Sequence, residues 1–259
     1  MKFGICTSLN NAAAVKTAGW DYVEENVQSL LQGAVADEQW QEAAAAKVAA
    51  LPIPAANSLV PASLKIVGPT ADLAALKKYM TTVIGRAQRV GIKTLVFGSG
   101  GARNVPDGFD REKASKQIED FVRASADIAA KHGVTLVAEP LNRGECNIIN
   151  SVGEAMRYVK AINHPNFQCL VDTYHLWLED EPLENLKAAM PWIKHVHLAD
   201  KEGRVAPGLS GKADYRPVFK ILKDGKYDGL ISFEGNAIPD FAVTAPRVLE
   251  FIKRQWNEA

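Results

Sequence analysis

The sequence lacks the charge imbalance, the paired cysteines and the long apolar runs that mark several large classes of protein. Its 259 residues contain 30 Lys plus Arg and 30 Asp plus Glu, so no net charge draws the chain to nucleic acid or to an anionic membrane. No apolar run reaches the roughly 20 residues that span a bilayer. Three cysteines without a Cys-x-x-Cys pair argue against a disulfide framework.

The N-terminal stretch MKFGIC also lacks the basic segment and the following apolar segment of a secretory signal. Together with the cysteine usage, this absence predicts a cytoplasmic protein. Apolar residues are abundant, at 47% of the chain, which is enough to build the core of one large domain over residues 1–259. The sequence leaves the oligomeric state open, with a homo-oligomer among the alternatives.

Short apolar runs alternate with longer helical patterns along the whole chain. Strands are predicted over 2–6, 22–27, 53–58, 92–98, 134–139, 167–172, 193–199 and 229–234. Helices are predicted near 11–18, 37–50, 70–90, 110–132, 151–162, 182–189, 214–224 and 239–256. Eight βα units in about 260 residues are typical of a single (β/α)8 TIM barrel. A doubly wound open sheet is the alternative, but it is expected to carry Gly-x-Gly-x-x-Gly after its first strand, and GICTSLNN has no such motif.

Acidic and imidazole side chains end the last four predicted strands, at Glu139, Asp172, His197 and Glu234. In a TIM barrel the carboxyl ends of the strands meet at one rim, where catalysis occurs. Three carboxylates at such a rim repel one another unless a cation lies among them. A lone acidic residue there is usually a helix cap, and a lone histidine is usually hydrogen-bonded, but four such residues on consecutive strands favour a metal site. Oxygen and nitrogen ligands without cysteine predict one divalent ion, Mn²⁺, Mg²⁺ or Co²⁺.

Four segments around these positions form a more specific pattern: AEPLNRGECNIIN (138–150), LVDTYHLW (170–177), HVHLADKEGRVAPG (195–208) and ISFEGN (231–236). They resemble the active-site strands of the sugar isomerase/epimerase group with a xylose-isomerase-like TIM barrel, and within it the D-tagatose 3-epimerase and D-psicose 3-epimerase family. Two departures are visible. The segment between His197 and Pro207 is slightly longer than the family pattern, and Gly-Asn follows Glu234 where the family usually has a proline and an aromatic residue.

The resemblance implies roles for particular residues. It places the metal ligands at Glu139, Asp172, His197 and Glu234. It places the catalytic acid/base pair at Glu139 and Glu234 and substrate contacts at Glu145, His175 and Arg204. His195 shares a strand face with His197, because residues two apart in a strand point the same way. It is predicted to lie one layer lower and to support the site through a hydrogen bond rather than to bind the metal.

The chemistry of such a site points to proton transfer beside a carbonyl. Removing the C3 proton of a ketose requires a base and stabilisation of the enediolate, which a divalent cation supplies. A carboxylate on each face of C3 would invert that carbon, so the predicted function is C3 epimerisation of a ketose or related keto sugar. With one active glutamate the same site would serve an aldose–ketose isomerase. The main alternative is a metal-dependent lyase or dehydratase acting on an inosose or a 3-keto sugar derivative.

Other classes fit the sequence less well. An apurinic endonuclease of the endonuclease IV type shares the barrel but needs histidines from earlier strands, whereas all five histidines here lie at or after residue 132. The balanced charge also provides no basic groove, so a small sugar rather than nucleic acid or a membrane is the predicted partner. An inactive sugar-binding protein is disfavoured because the acid/base pair and the ligands are all present. The glycine-rich GSGGARN (98–104) is predicted to be a flexible loop rather than a phosphate site.

Overall fold

The computed structural model describes residues 1–41, 45–46 and 49–259. Within them, parallel strands pair in chain order and close into a barrel: β1 Lys2–Cys6, β2 Tyr22–Asn26, β3 Ala55–Asn57, β4 Thr94–Phe97, β5 Thr135–Ala138, β6 Phe167–Asp172, β7 Ile193–Leu198 and β8 Leu230–Phe233. The pairing of β8 with β1 completes the ring. The predicted (β/α)8 TIM barrel is confirmed.

Helices connect the strands on the outside of the barrel. In the described part of the chain they are α1 Ala12–Thr17, α2 Val27–Leu30, α3 Leu73–Val90, α4 Gly100–Arg103, α5 Arg111–His132, α6 Val152–Ile162, α7 Thr173–Leu178, α8 Leu183–Ala189, α9 Arg216–Asp224 and α10 Phe241–Glu258. Short 3-10 turns lie at Leu9–Asn11, Asp37–Gln39, Met190–Trp192 and Glu202–Arg204. None of these helices combines the length and the apolar composition that a membrane crossing requires.

Most predicted helices agree with the structure to within a few residues. The helix predicted near 37–50 includes a 3-10 turn at Asp37–Gln39, and its positions 42–44 and 47–48 lie outside the described residues. The short helices α2, α4 and α7 were not predicted from the sequence. The long helices α3 and α5 begin as their sequences indicate, because the carboxylates of Asp72 and Asp110 accept hydrogen bonds from N–H groups of the first turn.

Gly4 lets Tyr22 lie across the inside of the barrel. Gly4 of β1 is registered between Tyr22 of β2 and Ser232 of β8. The Tyr22 hydroxyl lies 2.8 Å from Ser232 Oγ, so the ring crosses over Gly4 to reach it. A Cβ at residue 4 would lie 2.1 Å from Tyr22 Cε2, which is far closer than atoms approach one another. Only glycine leaves room for the tyrosine here.

We expect Gly4→Ala to lower the free energy of unfolding by about 1–3 kcal/mol, because the Tyr22 ring must move to accommodate the methyl group. Gly85→Ala is the matched control, since a Cβ at residue 85 in α3 meets no atom within 4 Å. Alanine inside a helix stabilises by about 0.5–1 kcal/mol relative to glycine, so the control should shift the other way. Urea unfolding followed by circular dichroism measures both. An unchanged midpoint for Gly4→Ala would contradict this account of Tyr22.

Candidate active site

Side chains from the last four strands converge at one rim of the barrel. Glu139 directly follows β5, Asp172 ends β6, His197 lies in β7 and Glu234 directly follows β8. One potential ligand atom from each lies within 4.8 Å of the others. The backbone N–H groups of Glu139 and Glu234 each donate to a carbonyl of the neighbouring strand at 3.1 Å, so both residues project as strand residues do. The structure therefore brings together the residues that the sequence analysis grouped; we call them the acidic cluster.

The imidazole of His197 lies at the centre of the acidic cluster. Its Nδ1 atom is 3.0 Å from Glu139 Oε1, 3.6 Å from Glu234 Oε2 and 3.9 Å from Asp172 Oδ2. The ring is fully buried, so little water screens the nitrogen from these three carboxylates. Oxygen and nitrogen donors in this combination match the ligand preferences of divalent cations such as Mn²⁺.

Asp172 uses its two carboxylate oxygens differently. Oδ1 accepts hydrogen bonds from the backbone N–H groups of Tyr174 and His175, at 2.7 and 3.4 Å, and thereby starts α7. Oδ2 is buried and has no hydrogen-bond partner among the described residues. A buried acceptor without a partner is costly, and a cation beside it would remove that cost. The donor set of the acidic cluster thus fits a metal ion.

The acidic cluster concentrates negative charge away from water. Burial and the nearby Glu234 carboxylate raise the pKa of Glu139 above its ordinary value, and the same two causes raise the pKa of Asp172 to about 6. Burial acts to lower the pKa of His197, but Glu24 and Glu234 outweigh burial and hold that pKa well above its ordinary value. The site therefore stabilises a positive charge at its centre, and a divalent cation is one way to supply it.

Arg204, a predicted substrate contact, lies against the acidic cluster. It donates from Nη2 to Glu234 Oε2 at 2.6 Å and from Nη1 to Glu145 Oε1 at 3.2 Å. Its guanidinium group lies 4.8 Å from the centroid of the Tyr174 ring. Partial burial opposes its charge, but Glu234, Asp172 and Glu145 together raise the pKa of Arg204. Arg204 therefore joins Glu145, another predicted contact, to the acidic cluster.

His175 directs an unpaired N–H group into the site. Its Nδ1 accepts a hydrogen bond from the backbone N–H of Asn142 at 3.1 Å, which leaves the hydrogen of the neutral ring on Nε2. Burial lowers the pKa of His175 and so favours the neutral ring. Nε2 lies 3.9 Å from Asp172 Oδ2 and has no hydrogen-bond partner within the described residues. Asn142 Nδ2 also donates to Glu145 Oε1 at 2.9 Å, so one residue positions both predicted substrate contacts.

The residues after Glu234 hold the loop that carries Arg204. The backbone of Arg204 is in the left-handed region, with φ of 50°, a conformation that costs a non-glycine residue about 1–3 kcal/mol. Asn236 stabilises it from the next loop: its backbone N–H donates to the Arg204 carbonyl at 2.9 Å, and its side chain donates to the Gly203 carbonyl at 2.6 Å. Asn236, in the Gly-Asn pair that follows Glu234, therefore contributes to the placement of Arg204.

Two polar residues on earlier strands, Glu24 and Asn57, also contact the site and were not predicted from the sequence. Glu24 of β2 lies 2.7 Å from His195 Nε2 and 3.0 Å from His197 Nε2, which also gives His195 the hydrogen-bonded position predicted for it. Asn57 of β3 donates from Nδ2 to Glu234 Oε1 at 3.0 Å. Asn57 ends β3, so the strand-end position that identified the later residues was available for it, whereas Glu24 lies in the middle of β2 and gives no such signal.

The segment GSGGARN positions Glu139. The prediction of a loop is wrong for Gly100–Arg103, which forms α4. Arg103 is fully buried and donates to the carbonyls of Phe97 and Glu139, at 2.8 Å each. A Cβ at Gly98 would lie 2.2 Å from Glu139 Oε2, so glycine is required for the glutamate side chain to lie where it does.

Known proteins resemble this chain along its length. Over 121 residues it is 33% identical to the 3-dehydro-D-guloside 4-epimerase of Escherichia coli (strain K12), a match that covers 46% of this chain and only 45% of that protein. It is 26% identical over 265 residues to the L-ribulose 3-epimerase of Methylomonas sp. (strain DH-1), covering 94% of this chain and 90% of the relative.

A solved structure also has the same fold. The crystal structure of 3-keto-D-glucoside 4-epimerase from E. coli matches with a TM-score of 0.83 at 25% identity, covering 98% of this chain and 99% of the other. The family described as xylose isomerase-like TIM barrel matches residues 12–255. That match includes all but the ends of the chain and agrees with the closed barrel, so the protein belongs to the xylose isomerase-like TIM barrel family.

Proposed function

We propose that the protein is a divalent-metal-dependent epimerase that inverts C3 of a ketose or a related keto sugar. The observation that carries the proposal is the acidic cluster, in which two glutamates, an aspartate and a histidine offer ligand atoms within 4.8 Å of one another. The sugar and sugar-derivative epimerases among the relatives support the reaction class. The substrate is accordingly a small sugar with a carbonyl group next to the carbon that is inverted.

The acidic cluster would hold one divalent cation, with His197 Nδ1 as its nitrogen ligand. Mn²⁺, Mg²⁺ and Co²⁺ are all candidates, because carboxylate and imidazole ligands do not distinguish them. When bound, the cation polarises the substrate carbonyl and lowers the cost of negative charge on its oxygen. The unpaired Asp172 Oδ2 supports this assignment.

Glu139 and Glu234 would carry the proton. One carboxylate removes it from C3, and the other returns a proton to the opposite face; in the reverse reaction they exchange roles. Their surroundings differ, since Glu234 accepts hydrogen bonds from Asn57 and Arg204, whereas burial and Glu234 raise the pKa of Glu139. The raised pKa of Glu139 suits its carboxyl group to act as the acid in one direction.

The predicted substrate contacts have groups available for a sugar. The Nε2–H of His175 is a buried donor that has no partner in the described part of the chain and would bind a substrate oxygen. Arg204 and Glu145, which bond to each other at the edge of the cluster, would bind hydroxyl groups further from the reacting carbon. If His175 and Glu145 have these roles, replacing either one weakens turnover or substrate affinity and leaves metal binding unchanged.

Epimerisation at C4 of a 3-keto glycoside is the second candidate function. Its support is the similarity to the 3-dehydro-D-guloside and 3-keto-D-glucoside 4-epimerases of E. coli. The same residues would act, because C4 is also adjacent to a carbonyl at C3. Deuterium from solvent would then enter at C4 rather than at C3.

We expect the metal-loaded protein to interconvert C3 epimers in D₂O and to incorporate deuterium at C3. A panel of ketoses and 3-keto glycosides, analysed by ¹H and ²H NMR, locates the exchanged proton. Glu139→Gln and Glu234→Gln remove one base each without changing side-chain size, and each should reduce interconversion by about 10²–10⁴-fold. The two variants should be blocked for opposite C3 configurations. Each should still exchange the C3 proton of one epimer with solvent deuterium.

Three results would change this assignment. Near-normal interconversion by Glu234→Gln would rule out the two-base mechanism and favour a one-base isomerase. Deuterium at C4 would favour the second candidate. An unsaturated or cleaved product would favour the lyase or dehydratase instead.

We expect one divalent cation per chain. Asp172→Asn and His197→Ala should each raise its Kd by about 10²-fold or more, because loss of a ligand costs more affinity than the 10–100-fold typical of residues outside the ligand shell. Calorimetric titration with Mn²⁺ and Co²⁺ gives affinity and stoichiometry. Affinity should fall as the pH is lowered through about 6, because the pKa of Asp172 is raised to about 6 and its proton competes with the cation. The raised pKa of His197 extends this competition to higher pH.

His175→Ala and Glu145→Gln are the controls for metal binding, since they alter predicted substrate contacts and not ligands. Both should bind the cation as the unsubstituted protein does. A large loss of metal in His175→Ala, or full affinity in Asp172→Asn, would show that the ligand set is different.

A further inference from the structure

Glu24 of β2 is a buried carboxylate that the proposed reaction does not use. It is 1% exposed. Oε1 lies 3.0 Å from His197 Nε2, and Oε2 lies 2.7 Å from His195 Nε2 and accepts a hydrogen bond from Ser232 Oγ at 2.6 Å. Because an ionised carboxylate only accepts hydrogen bonds, both imidazoles donate to it through Nε2.

This contact determines whether Nδ1 of His197, the nitrogen that faces the acidic cluster, carries a lone pair or a hydrogen. A neutral imidazole carries one hydrogen, and that hydrogen is on Nε2 when Nε2 donates to Glu24. Nδ1 then has its lone pair free for a cation, which would take the place of the hydrogen in the 3.0 Å contact between Nδ1 and Glu139 Oε1. Without Glu24, the hydrogen could instead lie on Nδ1 and bond to Glu139, which would leave no lone pair for a cation.

Glu24 is itself held by groups on three strands. His195 and Ser232 both bond to Oε2, so the carboxylate cannot rotate without losing one of them. Since the Ser232 hydroxyl donates to Glu24, the hydroxyl of Tyr22, 2.8 Å away, donates to Ser232. The His195 and His197 rings pack edge to face, with centroids 4.9 Å apart. Their closeness lets the Glu24 carboxylate accept a hydrogen bond from each ring.

We propose that Glu24 is the positioning residue of the metal centre: through His197 Nε2 it holds Nδ1 in the tautomer and orientation that bind the cation. His195, Ser232 and Tyr22 keep Glu24 in place. The inference rests on the proposed function, because it requires a cation at the acidic cluster. A carboxylate bonded to the far nitrogen of a ligating histidine also makes the imidazole a stronger ligand.

A role for Glu24 as a ligand of a second ion is less compatible with its contacts. Cys6, Glu24 and His197 do offer ligand atoms within 4.8 Å of one another. Both oxygens of Glu24, however, already accept hydrogen bonds, and burial together with Glu24 raises the pKa of Cys6, which disfavours the thiolate that binds metals. A second ion would appear as a stoichiometry of two.

The test is Co²⁺ binding to the 259-residue protein after treatment with a chelator, measured by calorimetry and by the visible absorption bands of the bound ion. Glu24→Gln should raise the Kd for Co²⁺ by about 10–100-fold and alter the bands. Glu24→Asp keeps the charge but shortens the side chain, so it should weaken binding as well. Ser232→Ala leaves Glu24 and His197 unchanged and should weaken binding by a smaller factor; it also serves if Glu24→Gln does not fold.

Glu181→Gln is the matched control. Glu181 is also buried, but its carboxylate accepts hydrogen bonds from the backbone N–H groups of Val152 and Gly153 at the start of α6. This variant should bind Co²⁺ with unchanged affinity and spectrum. A similar loss in Glu181→Gln would mean that any buried carboxylate has this effect, and it would overturn the inference.

The remaining outcomes separate the inference from the proposed function. Full Co²⁺ affinity in Glu24→Asp would show that only the charge matters and would overturn the positioning role. Loss of binding in Asp172→Asn with full affinity in all variants of Glu24 would overturn the inference and leave the proposed function standing. Full affinity in Asp172→Asn would overturn both. A stoichiometry of two that falls to one in Glu24→Gln would identify Glu24 as a ligand instead.

Discussion

The burial of several carboxylates around one imidazole is the constraint on which the rest of the site depends. Glu24, Glu139 and Asp172 are exposed by only 1%, 4% and 2%, and a buried charge costs several kcal/mol unless it is paired or hydrogen-bonded. His197 is their common partner, because one ring nitrogen meets Glu24 and the other faces the remaining carboxylates. Asp172 Oδ2 has no hydrogen-bond partner in the described part of the chain, so one buried acceptor in this group is left without compensation there. A cation site is the arrangement that this imbalance favours.

The closed barrel makes that concentration of charge possible. β2 and β7 are not neighbours in the ring, so Glu24 reaches both histidines only across the barrel interior. Side chains that cross the barrel interior need space there. Gly4 provides it, because its lack of a side chain lets Tyr22 cross β1 and reach Ser232. On the other side, Arg103 binds the Glu139 carbonyl from outside the strands. The charged side chains are therefore held in place by residues of the barrel strands and of the adjoining helix α4.

The order of strands and helices and the acidic cluster could be predicted because both depend on local patterns. Apolar periodicity marks the strands, and parallel strands bring their ends to one rim whatever the details of packing. The role of Glu24 could not be predicted in this way, since it depends on contacts across the barrel that spacing along the chain does not reveal. The short helix α7 was missed for a similar reason: it begins because the Asp172 carboxylate accepts two backbone N–H groups, and it is too short to show periodicity. Arg103 lies in a glycine-rich segment, where composition indicates a loop, yet its burial against two carbonyls orders a helical turn.

Arg204 and Glu234 are coupled twice, once through their side chains and once through the backbone. The guanidinium group donates to Glu234 Oε2, the oxygen that lies 3.6 Å from His197 Nδ1. Asn236, two residues after Glu234, bonds to the Arg204 carbonyl and holds the strained backbone of that residue. Any group that binds Glu234 Oε2 must therefore compete with an arginine that the loop after β8 keeps in place. In the proposed reaction, the loop after β8 thus acts on the base itself, since Asn236 bonds to the backbone of the arginine that donates to Glu234.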